Sequence, residues 1–282
     1  MAISKDARED GADTWPWTDT LFPVTSSSSF PSTYAGMRWF GDIHGARAVH
    51  AAAEEAMARG YALGFIGDLT DADPAVQDPD NDSAAVLRLL ARLDARGRAV
   101  LVPGNHCFKL LRYLVAWRAG DGAERRMKLT HGLDRTLAEI RDAPDRDALV
   151  ASTIRILSAA PLWRNIGPWL FVHAGASSAM FDRPAPTAGE ALSLKGDGRV
   201  HRALFGQTDG TRDSSGYPVR LYDWLESIPN GRRVVIGHDR CEAIFTQTNA
   251  RGGKLVRIDT GAGKGGTLSW LDIPAGELRG CT

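Results

Sequence analysis

The chain has 282 residues, 43% of them hydrophobic, with 34 Lys and Arg balanced by 34 Asp and Glu. That is long enough for one large α/β domain with a substantial core, and a balanced charge excludes a field that would gather nucleic acid or an anionic membrane. Three cysteines, Cys107, Cys241 and Cys281, are too few and too irregularly spaced for a disulfide framework or a zinc knuckle, and no apolar run approaches the roughly 18 residues of a membrane span. The expectation is a soluble, cytoplasmic protein in a reducing compartment.

Residues 1–36 carry Pro16, Pro23, Pro31, a run of four serines at 26–29 and the pair Trp15 and Trp17, with no helical or strand period. They read as a partly disordered arm before a domain spanning residues 37–282. From Met37 the chain alternates short apolar runs with amphipathic stretches. MRWF leads to GDIHG and a helix over residues 47–59 stopped by Gly60; YALGFI leads to GDLTD; Ser83 caps a helix ended by Gly97; RAVLV leads to PGNH. Helices are expected in residues 107–117, 134–142 and 147–160, followed by a strand pair turning at Asn165, Ile166 and Gly167. Residues 177–227 lack periodicity and read as a long loop with one or two helices. The last segments, RRVVIGHD, AIFTQT, KLVRIDTG and TLSWLDI, read as strands, mostly antiparallel because the turns between them are too short for crossover helices.

Each polar motif follows an apolar strand, where open α/β sheets place their sites. The residues so delivered are Asp42, His44, Asp68, Asn105, His106, His173 and His238. Carboxylate, amide and imidazole donors without thiolate suit Mn²⁺, Fe²⁺ or Zn²⁺. Asp42 and His44 are two residues apart, so an extended strand end would aim both to the same side.

The ordered motifs GDIHG at 41–45, GDLTD at 67–71, GNH at 104–106, VHAG at 172–175, GHD at 237–239 and IDTG at 258–261 resemble the calcineurin-like metallophosphoesterases, within them the phosphoprotein phosphatase type. Residues 104–114 and 128–140, with the closing IDTGAGKGGTLSW, look like the phosphatase modules of bacterial polynucleotide kinase-phosphatases, bacterial protein phosphatases and dinucleoside tetraphosphatases. The resemblance implies a four-layer αββα sandwich of two mixed sheets flanked by helices. It implies two divalent metal ions, manganese first, with iron or zinc as alternatives. Asp42, His44 and Asp68 would hold one ion, and Asp68, Asn105, His173 and His238 the other.

The implied reaction is in-line phosphomonoester hydrolysis by a metal-activated hydroxide, with two ions about 3.5–4 Å apart. His106 would protonate the leaving group, Asp71 would fix its tautomer, and Asp259 would orient His238 or a bound water. The expected partner is a phosphorylated substrate: a phosphoprotein, a nucleotide or a nucleic-acid end. Dinucleoside polyphosphate hydrolysis is the alternative reaction, and a metal-binding scaffold without catalysis is the alternative class. One departure motivates the scaffold reading. The family usually reads GDxxDRG, its arginine gripping phosphate, whereas Ala72 stands in that position here. Arg240, Lys109, Arg47 and Arg212 are the replacement cations considered, with Arg240 first, and His131 is equally a cleft residue or a helix cap.

Overall fold

A computed structural model describes residues 30–279, apart from 32, 77, 195 and 215. The Trp15 and Trp17 motif, Cys281 and most of the expected arm lie outside the described residues. Phe30 and Tyr34, from the last stretch of that arm, are buried, so the packed domain includes residues before 37.

In chain order the strands are β1 (Gly36–Phe40), β2 (Tyr61–Phe65), β3 (Ala99–Leu101), β4 (Trp163–Ile166), β5 (Trp169–Val172), β6 (Thr208–Arg212), β7 (Pro218–Arg220), β8 (Arg233–Ile236), β9 (Phe245–Thr248), β10 (Lys254–Arg257) and β11 (Trp270–Pro274). The helices are α1 (Ala48–Ala58), α2 (Ser83–Ala95), α3 (Asn105–Ala119), α4 (Leu133–Asp142), α5 (Arg146–Ala159), α6 (Ala179–Asp182), α7 (Ala188–Ala191), α8 (Gly198–Phe205) and α9 (Ala275–Arg279). The expected helices of the first half are present. The cap of α2 is Asp82, whose carboxylate accepts from the Ala85 amide at 2.8 Å, with Ser83 as first helical residue.

Two mixed sheets carry the fold, one ordered β11-β1-β2-β3 and the other β4-β5-β8-β10-β9. Alternation along the strands gives each sheet two apolar faces. Met37, Trp39, Ala62 and Ile66 from the first sheet pack with Phe171, Val235, Val256 and Ile258 from the second, and Trp39 stacks on Phe171 with ring centroids 3.8 Å apart. The opposite faces, with Phe40, Leu63 and Phe65 on one sheet and Leu170, Val172 and Val234 on the other, join the helical core. This is the expected sandwich of two mixed sheets flanked by helices.

The C-terminal half departs from the sequence reading. β8 and β10 pair in parallel, while β9 turns back along β10 at the sheet edge and serves as the crossover; β11 leaves for the other sheet and pairs antiparallel with β1. Short turns limited each consecutive pair, but they did not dictate which sheet each strand joined. The stretch expected to be a loop with helices also holds the β6–β7 hairpin, all of whose β6 residues are exposed. The consequence for function is topological. β1, β2 and β3 run parallel in one sheet, β5, β8 and β10 run parallel in the other, and the six motifs leave their carboxyl ends together.

Candidate metal centre

The loop after β1 bears Asp42 and His44, the loop after β2 bears Asp68 and Asp71, and α3 opens with Asn105 and His106 directly after β3. His173 follows β5, His238 follows β8 and Asp259 follows β10. Ligand atoms of Asp42, His44 and Asp68 lie within 4.8 Å of one another, as do those of Asp68, His173 and His238. Asp68 belongs to both groups. The sequence-expected ligands are therefore brought together, although by turns: His44 has φ 45° and His238 φ 65°, so neither pair of motif residues projects from an extended end.

Hydrogen bonds set the imidazole tautomers. His44 Nδ1 lies 2.8 Å from the Thr70 carbonyl and must donate to it, leaving the lone pair of Nε2 facing Asp42 Oδ2 at 3.7 Å and Asp68 Oδ2 at 4.0 Å. His173 Nδ1 likewise donates to the Ile66 carbonyl at 2.8 Å. Its Nε2 converges with Asn105 Oδ1 at 3.1 Å, His238 Nδ1 at 3.2 Å and Asp68 Oδ2 at 3.3 Å. His44 Nε2 and His238 Nε2 are buried without a hydrogen-bond partner among the described residues. Buried polar atoms are normally satisfied, so donor atoms crowded around two points that share Asp68, with His44 Nε2 orphaned at one and His173 Nε2, His238 Nδ1 and Asn105 Oδ1 converging at the other, fit a pair of cations.

The electrostatics agree. Burial raises the Asp42 carboxyl and lowers His44, whose pKa is held down to about 3. His238 is pushed well below its ordinary value, by burial first and by His173 second. Burial opposes ionisation of Asp68 too, yet His173, His106 and His44 together hold it well below the usual carboxylate range. Burial disfavours a charged His173, but Asp68 and Asp42 outweigh it and raise the imidazole to about 9. Two neutral imidazoles and an ionised carboxylate shared by both groups are forms suited to binding metal, and the charge on His173 fills a role that a metal ion would take over. Tight approach of backbone to ligands is also required. A Cβ at Gly104 would stand 2.2 Å from Asp68 Oδ1 and 2.6 Å from His173 Cε1.

Beside the ligands, His106 Nδ1 meets Asp71 Oδ2 at 2.8 Å, and the His106 amide donates to Asp68 Oδ1 at 2.9 Å. Asp71 is fully buried; its Oδ1 accepts from Thr136 Oγ1 at 2.7 Å, and its amide donates to that same hydroxyl oxygen at 3.0 Å. Thr136, from α4, thus aims the carboxylate at His106. Nothing in the local sequence marks it. His131 faces the cleft, its ring 6.4 Å from that of His106, while α4 is preceded by Gly132 with no side-chain cap.

The replacement cations fall out differently from expectation. Lys109 Nζ is committed to the Thr130 carbonyl at 2.7 Å and its hydroxyl at 3.2 Å, and Arg212 donates to the Gly216 carbonyl at 2.6 Å on the exposed hairpin. Arg47 is exposed at the start of α1. Arg240 is exposed and donates to the Lys264 carbonyl at 3.2 Å, because the left-handed turn at His238 breaks the extension that would have kept the two side chains together. The cations that bear on His238 are Arg220, from β7, and Lys264. For Asp259, expected to orient His238 or a bound water, the contact within the described residues is with the loop that follows it. Its Oδ1 accepts from the Gly261 amide at 2.7 Å, and burial, with Asp42 next, raises it to about 7, which places it on the Asp42 and His44 side of the centre. Cys107 is a buried free thiol, as expected.

The profile of calcineurin-like phosphoesterases matches residues 39–242. The chain belongs to that family. It is 30% identical over 250 residues to a bis(5'-nucleosyl)-tetraphosphatase PrpE [asymmetrical] of Geobacillus thermodenitrificans (strain NG80-2), covering 83% of this chain and 89% of the relative. The protein of the same name from Bacillus subtilis (strain 168) is 26% identical, covering 76% and 77%. A crystal structure provisionally described as a diadenosine tetraphosphatase superposes with a TM-score of 0.50 at 22% identity, over 87% of this chain and 96% of its own, which supports the shared fold. This family member is a hydrolase of phosphoric esters that uses divalent metal, and no helix among its described residues is long and apolar enough to cross a membrane.

Proposed function

We propose that the chain hydrolyses phosphomonoesters with two divalent ions, one held by Asp42, His44 and Asp68 and the other by Asp68, Asn105, His173 and His238. The observation that carries this reading is the Asp68 carboxylate shared by two ligand groups, with the partnerless His44 Nε2 on one side and the convergence of His173 Nε2, His238 Nδ1 and Asn105 Oδ1 on the other. When bound, such ions polarise phosphoryl oxygens and lower the pKa of a bound water towards about 7, supplying a nucleophile at neutral pH. Manganese fits the mixed carboxylate, amide and imidazole donor set without thiolate, with iron or zinc as the alternatives.

The side chains divide the remaining work. Asp68 holds the two halves of the site in register and fixes the start of α3 through the His106 amide. His106 delivers a proton to the departing oxygen, a contribution worth about 10²–10⁴ in rate where the leaving group is poor. Asp71, anchored by Thr136, keeps the His106 Nδ1 proton inward so that Nε2 is the acidic edge. A positioned acid of this kind favours an alkyl or aryl phosphate over an anhydride, whose phosphate leaving group needs little help.

A second reading has its own support. The relatives named bis(5'-nucleosyl)-tetraphosphatase cover most of this chain, and an asymmetrical cleavage would yield a nucleoside monophosphate and a triphosphate. Manganese-loaded protein assayed on para-nitrophenyl phosphate, a phosphopeptide, an end-phosphorylated oligonucleotide and diadenosine tetraphosphate separates the two by kcat/KM. The monoester reading fails if only the tetraphosphate is turned over. Turnover of none of them above the level of Asp68→Asn would leave a metal-binding scaffold.

A further inference from the structure

Position 72 is buried against the loop that precedes α4. Ala72 is 1% exposed, and its carbonyl lies so near Gly132 that a Cβ there would approach it to 2.2 Å. The next residue, Asp73, donates its amide to the Gly263 carbonyl at 3.0 Å. The segment that carries the family's phosphate grip is therefore covered by the loop Gly261–Gly266, which follows β10. This loop is pressed onto the metal-site backbone: a Cβ at Gly263, already at φ 66°, would stand 2.1 Å from the His44 carbonyl oxygen and 2.6 Å from its Cβ. Only glycine permits that approach.

The loop is also held at its neck. The amides of Lys264 and Gly266 both donate to the Gly261 carbonyl, at 3.0 and 2.8 Å, and Gly261 bridges to Thr267. Arg240 packs along Gly261 and donates to the Lys264 carbonyl at 3.2 Å. One residue after the glycine that touches His44, Lys264 is half-buried, and no hydrogen bond or ion pair engages its ammonium among the described residues. Lys109, Arg212 and Arg240 are each committed to carbonyls, and Arg220 donates to the Phe205 carbonyl at 2.5 Å.

We propose that Lys264, presented by the glycine loop that covers the Ala72 segment, is the substrate-binding cation of this site and takes a phosphate oxygen in place of the missing arginine. The proposal rests on the hydrolase reading above. It accounts for the position of Arg240, which holds the loop rather than the substrate. It also agrees with the reach of the lysine's charge, which bears on Asp42, His44, His131, His238 and Asp259, groups from four different segments around the centre. A lysine binds phosphate as a point charge and needs no bidentate geometry.

The test uses Lys264→Met, Lys264→Arg and Arg220→Met in the full chain, each checked for manganese content and melting temperature. Inorganic phosphate is titrated calorimetrically into the manganese-loaded proteins, and KM and kcat are measured on para-nitrophenyl phosphate. Lys264→Met should weaken phosphate binding and raise KM by about 10- to 150-fold, the range for losing a hydrogen bond to a charged group, with metals retained and kcat changed less. Lys264→Arg should recover most of the loss. Unchanged phosphate affinity in metal-loaded Lys264→Met would overturn the assignment, as would the whole loss falling on Arg220→Met. If no ester were hydrolysed while phosphate binding still depended on Lys264, the hydrolase reading would fail and the anion site would stand.

Discussion

Asp71→Asn isolates the proton-donating step because it removes a charge while keeping volume at a fully buried position. Thr136 Oγ1 donates to Asp71 Oδ1, so an asparagine keeps its carbonyl oxygen on that hydroxyl and turns its NH₂ towards His106 Nδ1. That nitrogen must then accept, and the doubly protonated imidazole able to give up a proton from Nε2 would set two donors against each other. Losing a hydrogen bond between charged partners costs about 1.5–3 kcal/mol, and about 1.4 kcal/mol is tenfold in rate, so kcat on phenyl phosphate should fall roughly 10- to 150-fold. The fall should stay within the loss caused by His106→Ala, since Asp71 acts only through His106. On para-nitrophenyl phosphate, whose leaving group needs little protonation, the same variant should lose much less. Equal losses on the two substrates with both metals bound would refute the general-acid assignment and point to a binding role for the pair.

Two further outcomes follow from packing. Gly104→Ala, at an ordinary φ of −92°, should displace Asp68 Oδ1 and the His173 ring, because its Cβ would sit 2.2 and 2.6 Å from them; manganese affinity measured by calorimetry should fall by at least the roughly 10- to 100-fold typical of disturbed ligand support. Cys107 is buried and its thiol is pushed up to about 12, first by burial and then by Asp68, so a disulfide reagent at pH 8 should leave it unmodified in the native protein and label it in denaturant.

The parts of this architecture that were legible in the sequence were local. A strand followed by GD, GNH or GH announces both the strand end and the residue delivered there, and six such ends on parallel strands meet whatever the order of sheets. His106 and Asp71 were legible for the same reason. Partners set by tertiary packing were not. Thr136 reaches Asp71 across 65 positions of chain, from a helix whose local pattern says only that it is amphipathic. The parallel pairing of β8 with β10 depends on β9 swinging to the sheet edge, which short turns neither require nor forbid. Arg240 was favoured because two-residue spacing keeps side chains together on an extended end, and the positive φ of His238 removes that premise. Lys264 stood in a quoted motif, yet its importance came from Gly263 lying on His44, a contact no spacing reveals.

The left-handed residues connect the site to the stability of the fold. Among the described residues the non-glycine positions with positive φ are His44, Asp68, Asp71, His131 and His238, every one of them a candidate site residue. Asp and His tolerate this region better than most side chains, but each sparsely populated conformation still costs on the order of 1 kcal/mol. Burying Asp42 and Asp68 together adds to that cost, against a total stability of about 5–15 kcal/mol for a typical domain. Metal binding should offset it. A ligand at about 100 times its Kd stabilises the native state by about 2.7 kcal/mol, so two filled sites give about 5 kcal/mol. At roughly 2–4 °C per kcal/mol for a large domain, manganese should raise the melting temperature by about 10–20 °C over the same protein in chelator. Asp68→Asn should lose most of that increment, because its carboxylate belongs to both ligand groups, whereas Asp42→Asn should keep the share contributed by Asp68, Asn105, His173 and His238. Melting curves of the unmutated protein that coincide with and without manganese, or an Asp68→Asn variant that keeps the full shift, would show that Asp68 does not bridge two metal sites.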